Sequence, residues 1–482
     1  MRNDILEKVL RLPIAITPAI AAIALMMNQD PARATPTKGV SVSRWPFSMD
    51  SHILAVLLTR GWTIFAGAVT LFFIPSWLTL QEQGYFYTFF SLLALQVFFE
   101  LGFNGVVIQW VGHEAPFVRV SASGQLEGDS RTVDRLRSLL KLLHRWYLVA
   151  SLLFAVAMSV TGVYFFSTRP ELPSQVWLPI WLVLVFTVAI SLYLSPLLSF
   201  MEGLGWVREV ARVRLVQSVV GYSLMWTAMG LNAGLYAVPA LTLCSAITSF
   251  GWVKKHQPRL FPAPGVTETS SLPSMSWRKE IFPLQWRIAL SWISGYFIFH
   301  AFTPLVFAHQ GPEEAGRLGL GLTIFSSLST LGMSWVTACV PRFASYIVIG
   351  NRRALNSLFI SVTSGAVLVT TLACCLVLLG AWATQWLNHP ITERIPSLPV
   401  LLCLALVTVA NCLISSEACY IRAHKVEPLL SASLVVGLIT INVAYFGSRI
   451  STTAMMALYA ATIISVALPW ASIIFLQYFG KK

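Results

Sequence analysis

Six side chains that can bind or position charge lie within long apolar stretches of this 482-residue sequence. They are its candidates for substrate binding: Arg60, Gln96, Glu100, Asn104, Arg287 and His300. A charged group inside a membrane helix costs about 2.5–3.5 kcal/mol on insertion scales, so each needs a functional or a structural reason. Arginine stays charged and holds phosphate oxygens with a planar fork, which suits an anionic head group. The two arginines therefore suit an anionic group within the membrane, and each also has a structural alternative.

Four of these residues also have a shared structural interpretation. Gln96, Glu100 and Asn104 recur at every fourth position, so a continuous helix would place them on one face, toward protein or water. Arg60 lies in the preceding apolar run and is predicted to reach Glu100. Such an ion pair would lock the two helices together and would need no substrate.

Arg287 and His300 share a later apolar run and allow two interpretations each. Arg287 either binds phosphate or extends its head group to the membrane surface. His300 is either a proton-linked switch or a hydrogen-bonded packing residue. Asn411, Ser415 and Glu417 form a weaker group of the same kind.

The apolar runs that hold these candidates fill most of the chain. Hydrophobic residues make up 56% of the sequence, charged residues 11%, and mean hydropathy is +0.71, whereas soluble domains average about 25% charged residues. A bilayer core needs about 20 apolar residues per helix. Twelve runs meet this requirement, near 52–79, 85–112, 146–167, 177–199, 215–231, 233–253, 284–308, 318–340, 355–386, 396–418, 428–447 and 455–478. The sequence predicts an all-α membrane protein with about twelve transmembrane helices.

Lysine and arginine are distributed unevenly between the connections. The even-numbered connections and the C-terminus hold 21 of them. The odd-numbered connections hold four: Arg169, Arg317, Arg394 and Arg449. The positive-inside rule then places both termini in the cytoplasm, with the protein in a bacterial inner membrane. This distribution explains the net charge of +13 without nucleic acid as a partner.

Motifs of hydrolases, nucleotide-binding proteins and zinc enzymes are absent from the sequence. It contains no P-loop, GxSxG or HExxH, and the outer connections, about ten residues or fewer, are too short for a glycan polymerase or ligase. The cysteines lack metal-ligand spacing and are interpreted as reduced packing residues. They are Cys244, Cys339, Cys374, Cys375, Cys403, Cys412 and Cys419. We therefore predict a carrier without cofactor or metal, and no enzyme.

Two segments outside the runs have alternative interpretations. Residues 1–48 contain a short apolar stretch, Leu12–Met27, which is interpreted as a loose or interfacial extension, with Met49 as an alternative start. Cleavage of a signal peptide is disfavoured because it would reverse the charge distribution. Residues 131–147 carry leucines on one face and basic residues elsewhere. They predict an amphipathic helix on the inner leaflet, with a solvated connector as the alternative.

An internal repeat divides the runs into two sets of six. Gln81–Gly84 and Glu313–Gly316 both predict a tight outer turn after a helix with an early arginine, and Glu82 and Glu314 are 232 positions apart. With six helices in each half, both halves begin on the same side of the membrane. This predicts a parallel repeat about an axis along the membrane normal. The predicted lobes are residues 49–253 and 284–482, joined by a cytoplasmic loop at 254–283.

The stretch from Thr59 to Trp110 resembles the opening of O-antigen (Wzx-type) polysaccharide flippases. These belong to the multidrug/oligosaccharidyl-lipid/polysaccharide exporter superfamily. The similar features are the early Arg60, the Gly84-Tyr85 turn and the sequence Glu100-Leu101-Gly102. EEAGRLGLGL at 313–322 is similar to the second-half turn. The resemblance implies two MATE-like six-helix lobes in a V, which move an undecaprenyl-pyrophosphate-linked glycan to the periplasm by alternating access.

Three functions remain open at this point. The first is the lipid-linked oligosaccharide flippase, driven by H⁺ or Na⁺ and working with polysaccharide-assembly proteins. The second is a MATE-like drug or cation antiporter, disfavoured because the first run has Arg60 in place of an acidic residue. The third is a non-transporting scaffold for polysaccharide assembly.

Overall fold

The structure is a computed structural model that describes residues 51–120, 126–169, 171–260, 282–424 and 426–480. The predicted extension at 1–48 and most of the predicted loop at 254–283 lie outside these ranges. We refer to residues 51–260 as the N-terminal half and to residues 282–480 as the C-terminal half.

The described part of the N-terminal half contains eight α-helices. They are α1 (Ser51–Trp77), α2 (Leu80–Leu93), α3 (Val97–Glu100), α4 (Phe103–Glu114), α5 (Ser130–Ser167), α6 (Ser174–Gly203), α7 (Val207–Gly230) and α8 (Pro239–Leu260). Of these, α2, α3 and α4 are consecutive pieces of one interrupted span. A 3-10 turn, Ala94–Gln96, joins α2 to α3, and another, Gly234–Ala237, precedes α8.

The described part of the C-terminal half also contains eight α-helices. Its helices are α9 (Phe282–Phe299), α10 (Phe302–Gln310), α11 (Pro312–Ile349), α12 (Arg352–Trp386), α13 (Leu398–Ala423), α14 (Leu430–Ile450), α15 (Thr452–Thr462) and α16 (Leu468–Phe479). A π-helical turn, Ile463–Ala467, joins α15 to α16.

The described helices confirm an all-α membrane fold. Eight spans are long and apolar enough to cross a membrane, and two bent pairs, α2–α4 and α9–α10, raise this number to ten. Together with α1 and α7, the described chain forms twelve helical rods, as the apolar runs predict. A small antiparallel hairpin, Val118–Val120 with Leu126–Gly128, was not predicted; it lies between α4 and α5.

The two predicted outer turns are in fact first turns of helices. Thr79 caps α2 by accepting a hydrogen bond from the backbone N–H of Glu82, whose carboxylate accepts one from the N–H of Thr79. Pro312 occupies the first turn of α11, where its missing N–H is no loss. The connections are therefore shorter than predicted, and this brings the starts of α2 and α11 into direct contact.

The amphipathic segment 131–147 is the first part of α5, which continues into the membrane, and the prediction of a helix lying on the leaflet was wrong. Leu136, Leu139 and Leu143 are 0% exposed and belong to the main hydrophobic core. Arg135, on the same helix, pairs with Glu114 at 3.2 Å and lies over the ring of Trp110. The apolar face is thus covered by neighbouring protein and not by lipid.

Candidate functional site

The odd-numbered connections meet at one end of the molecule, the predicted outer side, where the two halves are joined. Arg169, after α5, donates hydrogen bonds to the carbonyl oxygens of Ala308 and His309 at the end of α10, both at 3.1 Å. Arg394, before α13, donates to the carbonyl of Leu78 at the end of α1, at 2.6 Å. Each arginine therefore satisfies terminal carbonyls of a helix in the opposite half.

A close crossing of α2 and α11 reinforces this end. Gly84 and Gly316 face each other without side chains between them: a Cβ on Gly84 would lie 1.9 Å from the carbonyl oxygen of Pro312. One turn further, the ring of Tyr87 fills the space that Gly319 leaves. Gln83 donates a hydrogen bond across the crossing to the carbonyl of Gly316, at 2.9 Å. We call these contacts, with those of Arg169 and Arg394, the outer closure.

The predicted polar stripe on the second span is broken. Leu101 and Gly102 both have positive φ, 51° and 65°, and the span bends by 45° between α2–α3 and α4. A left-handed residue pair cannot continue an α-helix, so Gln96, Glu100 and Asn104 do not share one helix face. A Cβ on Gly102 would also meet the side chain of Ile288 in the opposite half at 2.5 Å.

Glu100 and Asn104 nevertheless meet across this break. Asn104 Nδ2 donates to Glu100 Oε1 at 2.7 Å and to Ser195 Oγ at 3.0 Å. The hydroxyl of Tyr147 donates to Asn104 Oδ1 at 3.3 Å. These bonds tie α3, α4, α5 and α6 together, so the polar groups have structural partners within the N-terminal half. Gln96 is half-buried in the 3-10 turn.

The two arginines predicted to bind phosphate are placed only by their backbones. Arg60 lies in α1 and Arg287 lies in α9, but their side chains are outside what the structure describes. Their phosphate contacts, and the ion pair between Arg60 and Glu100, stay predictions.

A cavity of about 500 Å³ lies beside the outer closure, between α2 of one half and α9, α10, α11, α13 and α15 of the other. His300 is exposed at the break between α9 and α10, where that span bends by 41°, and it lines this cavity. Tyr459 donates to the carbonyl of Ile298 at 3.0 Å and so satisfies a backbone group next to the break. Asn411 and Ser415 also line it, whereas Glu417 is buried away from it and accepts a hydrogen bond from Ser472 at 2.8 Å.

Solved structures share this arrangement of helices over nearly the whole chain. A lipid II flippase, MurJ, in an inward closed conformation matches with a TM-score of 0.61 at 11% identity, over 89% of this chain and 87% of that one. An outward-facing multidrug resistance MATE family transporter of the MOP superfamily matches with a TM-score of 0.54 at 12% identity, over 90% and 96% of the two chains. This chain shares its fold with these two structures.

An inward-facing MATE family transporter matches over 90% of this chain and 99% of that one, with a TM-score of 0.55 at 12% identity. No family model and no curated protein sequence matches the chain. The matched proteins are named as multidrug resistance MATE family transporters and a lipid II flippase. At these identities the likeness concerns the fold, and the Wzx-type resemblance stays a prediction.

Sequence reasoning missed the residues that give the cavity its character. Within the described ranges, its lining contains no Asp, Glu, Lys or Arg, and many of its polar groups are hydroxyls. Five of them are on α11: Thr323, and the four hydroxyl residues of the sequence Ser-Ser-Leu-Ser-Thr at 326–330. That run of hydroxyl residues inside an apolar segment was the available signal, because polar groups at membrane depth face protein or a wet cavity.

Proposed function

We propose that this protein is a flippase that moves an undecaprenyl-pyrophosphate-linked oligosaccharide across the bacterial inner membrane by alternating access. The observation that carries this proposal is the membrane-embedded cavity at the junction of the two halves, directly beside a closed outer end. A carrier that is closed outside and holds a polar cavity is arranged to receive cargo from the inner side. The MOP-superfamily fold supports this interpretation.

The proposed orientation has both termini in the cytoplasm, with lobes at 49–253 and 284–482. Alkaline phosphatase fused after residue 255 should then be inactive, and fused after residue 312 active. The opposite pattern of activities would overturn the orientation.

The proposed cargo carries a pyrophosphate, which an apolar membrane site would reject without cations. We propose that Arg60 and Arg287 supply these cations, one from each half. Lysine keeps the charge but loses the planar fork, so Arg287→Lys should retain partial transport while Arg287→Ala loses most of it. If Arg60 only neutralises Glu100, the pair of changes Arg60→Leu and Glu100→Leu should transport normally. If Arg60 binds phosphate, this double variant should be folded but inactive.

The second candidate function is a MATE-like antiporter of drugs or cations, which the MATE structures among the matches favour. The discriminating experiment uses purified protein in liposomes with two cargoes, undecaprenyl-pyrophosphate bearing a fluorescent N-acetylglucosamine, and ethidium. Flipping of the lipid, read as exposure of the label to an impermeant quencher, supports the flippase. Movement of ethidium alone, driven by H⁺ or Na⁺, would replace it with the antiporter. Movement of neither would favour the assembly scaffold.

A further inference from the structure

The hydroxyl groups in the cavity wall are oriented by their own helices. Thr323 donates its hydroxyl hydrogen to the carbonyl of Gly319 at 2.8 Å, and Thr330 donates to that of Ser326 at 3.0 Å. Ser327 and Thr408 do the same, toward Thr323 and Leu404. A hydroxyl whose hydrogen is engaged still has lone pairs, so these oxygens face the cavity as hydrogen-bond acceptors.

Tyr87 lies on the opposite wall, on α2, and differs from these hydroxyls. Its side chain is only 6% exposed, and its buried hydroxyl lies near that of Thr323 but makes no hydrogen bond of good geometry to any described residue. A buried polar atom without a partner is uncommon and needs an explanation, such as a ligand that completes it. Tyr87 lines the cavity while its hydroxyl is covered, so a bound molecule can pair with this hydroxyl after a small shift of the ring.

Aromatic rings complete the wall. Phe299, at the break between α9 and α10, is 52% exposed although it lies in an apolar span, and the half-buried Phe90 lines the same cavity. Flat apolar rings beside a set of oriented polar groups match the general composition of small-molecule sites. They offer a surface for the C–H face of a sugar ring, while the acceptor oxygens receive its hydroxyl hydrogens.

From these observations we infer that this wall is a subsite for an uncharged sugar unit, with Tyr87 and Thr330 among the residues that select it. The inference rests on the proposed flippase function and adds the class of glycan. Neutral sugars carry many hydroxyl donors, which the acceptor wall satisfies. A uronic acid brings a carboxylate, which is acceptor-only when ionised. Asn411, His300 and Tyr87 can donate to it, but the oriented hydroxyls cannot, and no Lys or Arg among the described lining residues offsets its charge, so its burial here is unfavourable.

The test measures binding of three lipids to the purified protein in nanodiscs. They are undecaprenyl-pyrophosphate without sugar, with N-acetylglucosamine, and with glucuronic acid. The wild type should bind the N-acetylglucosamine lipid more tightly than the sugar-free lipid, and the glucuronic acid lipid no more tightly than the sugar-free one. Tyr87→Phe and Thr330→Val should each reduce the preference for N-acetylglucosamine by about 2- to 10-fold, the range expected for one hydrogen bond.

Thr161→Val is the matched control. Thr161 is exposed on α5, outside the cavity lining, and donates to the carbonyl of Ala157 at 2.6 Å as Thr330 does to its own helix. This variant should keep the wild-type preference. Tyr87→Phe should also keep the melting temperature, because it removes a hydroxyl that makes no well-formed hydrogen bond, so a loss of preference would not reflect unfolding.

Two failures are distinguishable. Equal binding of all three lipids, or an unchanged preference in both Tyr87→Phe and Thr330→Val, would overturn the sugar subsite and leave the flippase standing. Tighter binding of the glucuronic acid lipid than of the neutral one would also overturn the subsite. Absence of binding to any of the three lipids would overturn the proposed function itself.

Discussion

Gly84 and Gly316 pack directly against each other, although they are 232 positions apart, the same separation that relates Glu82 to Glu314. A Cβ on Gly316 would lie 2.8 Å from the backbone nitrogen of Gly84. Contact between equivalent positions is what a twofold-related pair of surfaces produces at its axis. The contact joins positions that the predicted internal repeat treats as equivalent, and it lies within the outer closure.

The first prediction follows from this contact. Gly84→Ala should lower the melting temperature, because its methyl group would meet the backbone of Pro312, and overpacking of this kind costs about 1–3 kcal/mol. Gly365→Ala on α12 is the control, since no atom of the described residues lies within 4 Å of its added Cβ, and its melting temperature should not fall. An equal effect of both substitutions would contradict the close crossing.

The second prediction concerns Arg169 and Arg394. Replacing either by alanine should open the outer end, because hydrogen bonds from charged groups contribute about 1.5–3 kcal/mol when they are well formed. The measurement is the distance between spin labels on Thr168 and Leu387, one in each half, in a cysteine-free background. Both variants should shift the distribution toward longer distances, and the double variant should shift it most. Arg353→Ala, on α12 at the opposite end, should leave the distribution unchanged.

The third prediction is a pH dependence of the outer closure. Burial raises the pKa of Glu171, Arg169 lowers it, and Glu313 in the other half raises it again, with a net upward direction. A carboxyl whose pKa is higher in the closed state binds its proton more tightly there, so falling pH should favour closure and rising pH should weaken it. The same pair of labels should report longer distances as pH rises above the ordinary range of a glutamate. A Glu171→Gln variant should respond less steeply, and an identical response would contradict the assignment.

The fourth prediction separates protein packing from membrane binding in α5. Leu139→Ala should destabilise the fold by about 2–5 kcal/mol, the usual cost for a fully buried leucine. Leu152→Ala on the same helix removes a side chain that is 58% exposed, and should change the melting temperature little. If Leu139→Ala proved as mild as Leu152→Ala, the leucine face would instead be lying on lipid, as the sequence first indicated.

The sequence by itself determined the class of molecule. Bilayer thickness requires long apolar runs, and twelve of them can be identified without any tertiary information. The same reasoning marked Glu100, Asn104 and His300 as polar groups that need partners, because such groups cannot face lipid. It also found the repeat, since the residues that begin α2 and α11 are alike.

Only the tertiary structure decided what these residues contact. The amphipathic pattern of residues 131–147 is the same whether lipid or protein covers the leucines, and packing against α4 and α6 resolved it in favour of protein. At the bend, Gly102 packs closely against Ile288 of the other half, a contact that local propensity does not contain. Likewise, the sequence does not distinguish Arg169 and Arg394 from other charged loop residues. Their hydrogen bonds to the opposite half form only in the folded protein. The hydroxyls of α11 form a cavity wall because α2 lies opposite them. Hydrophobic periodicity identifies a helix in the sequence but not the helix that packs against it.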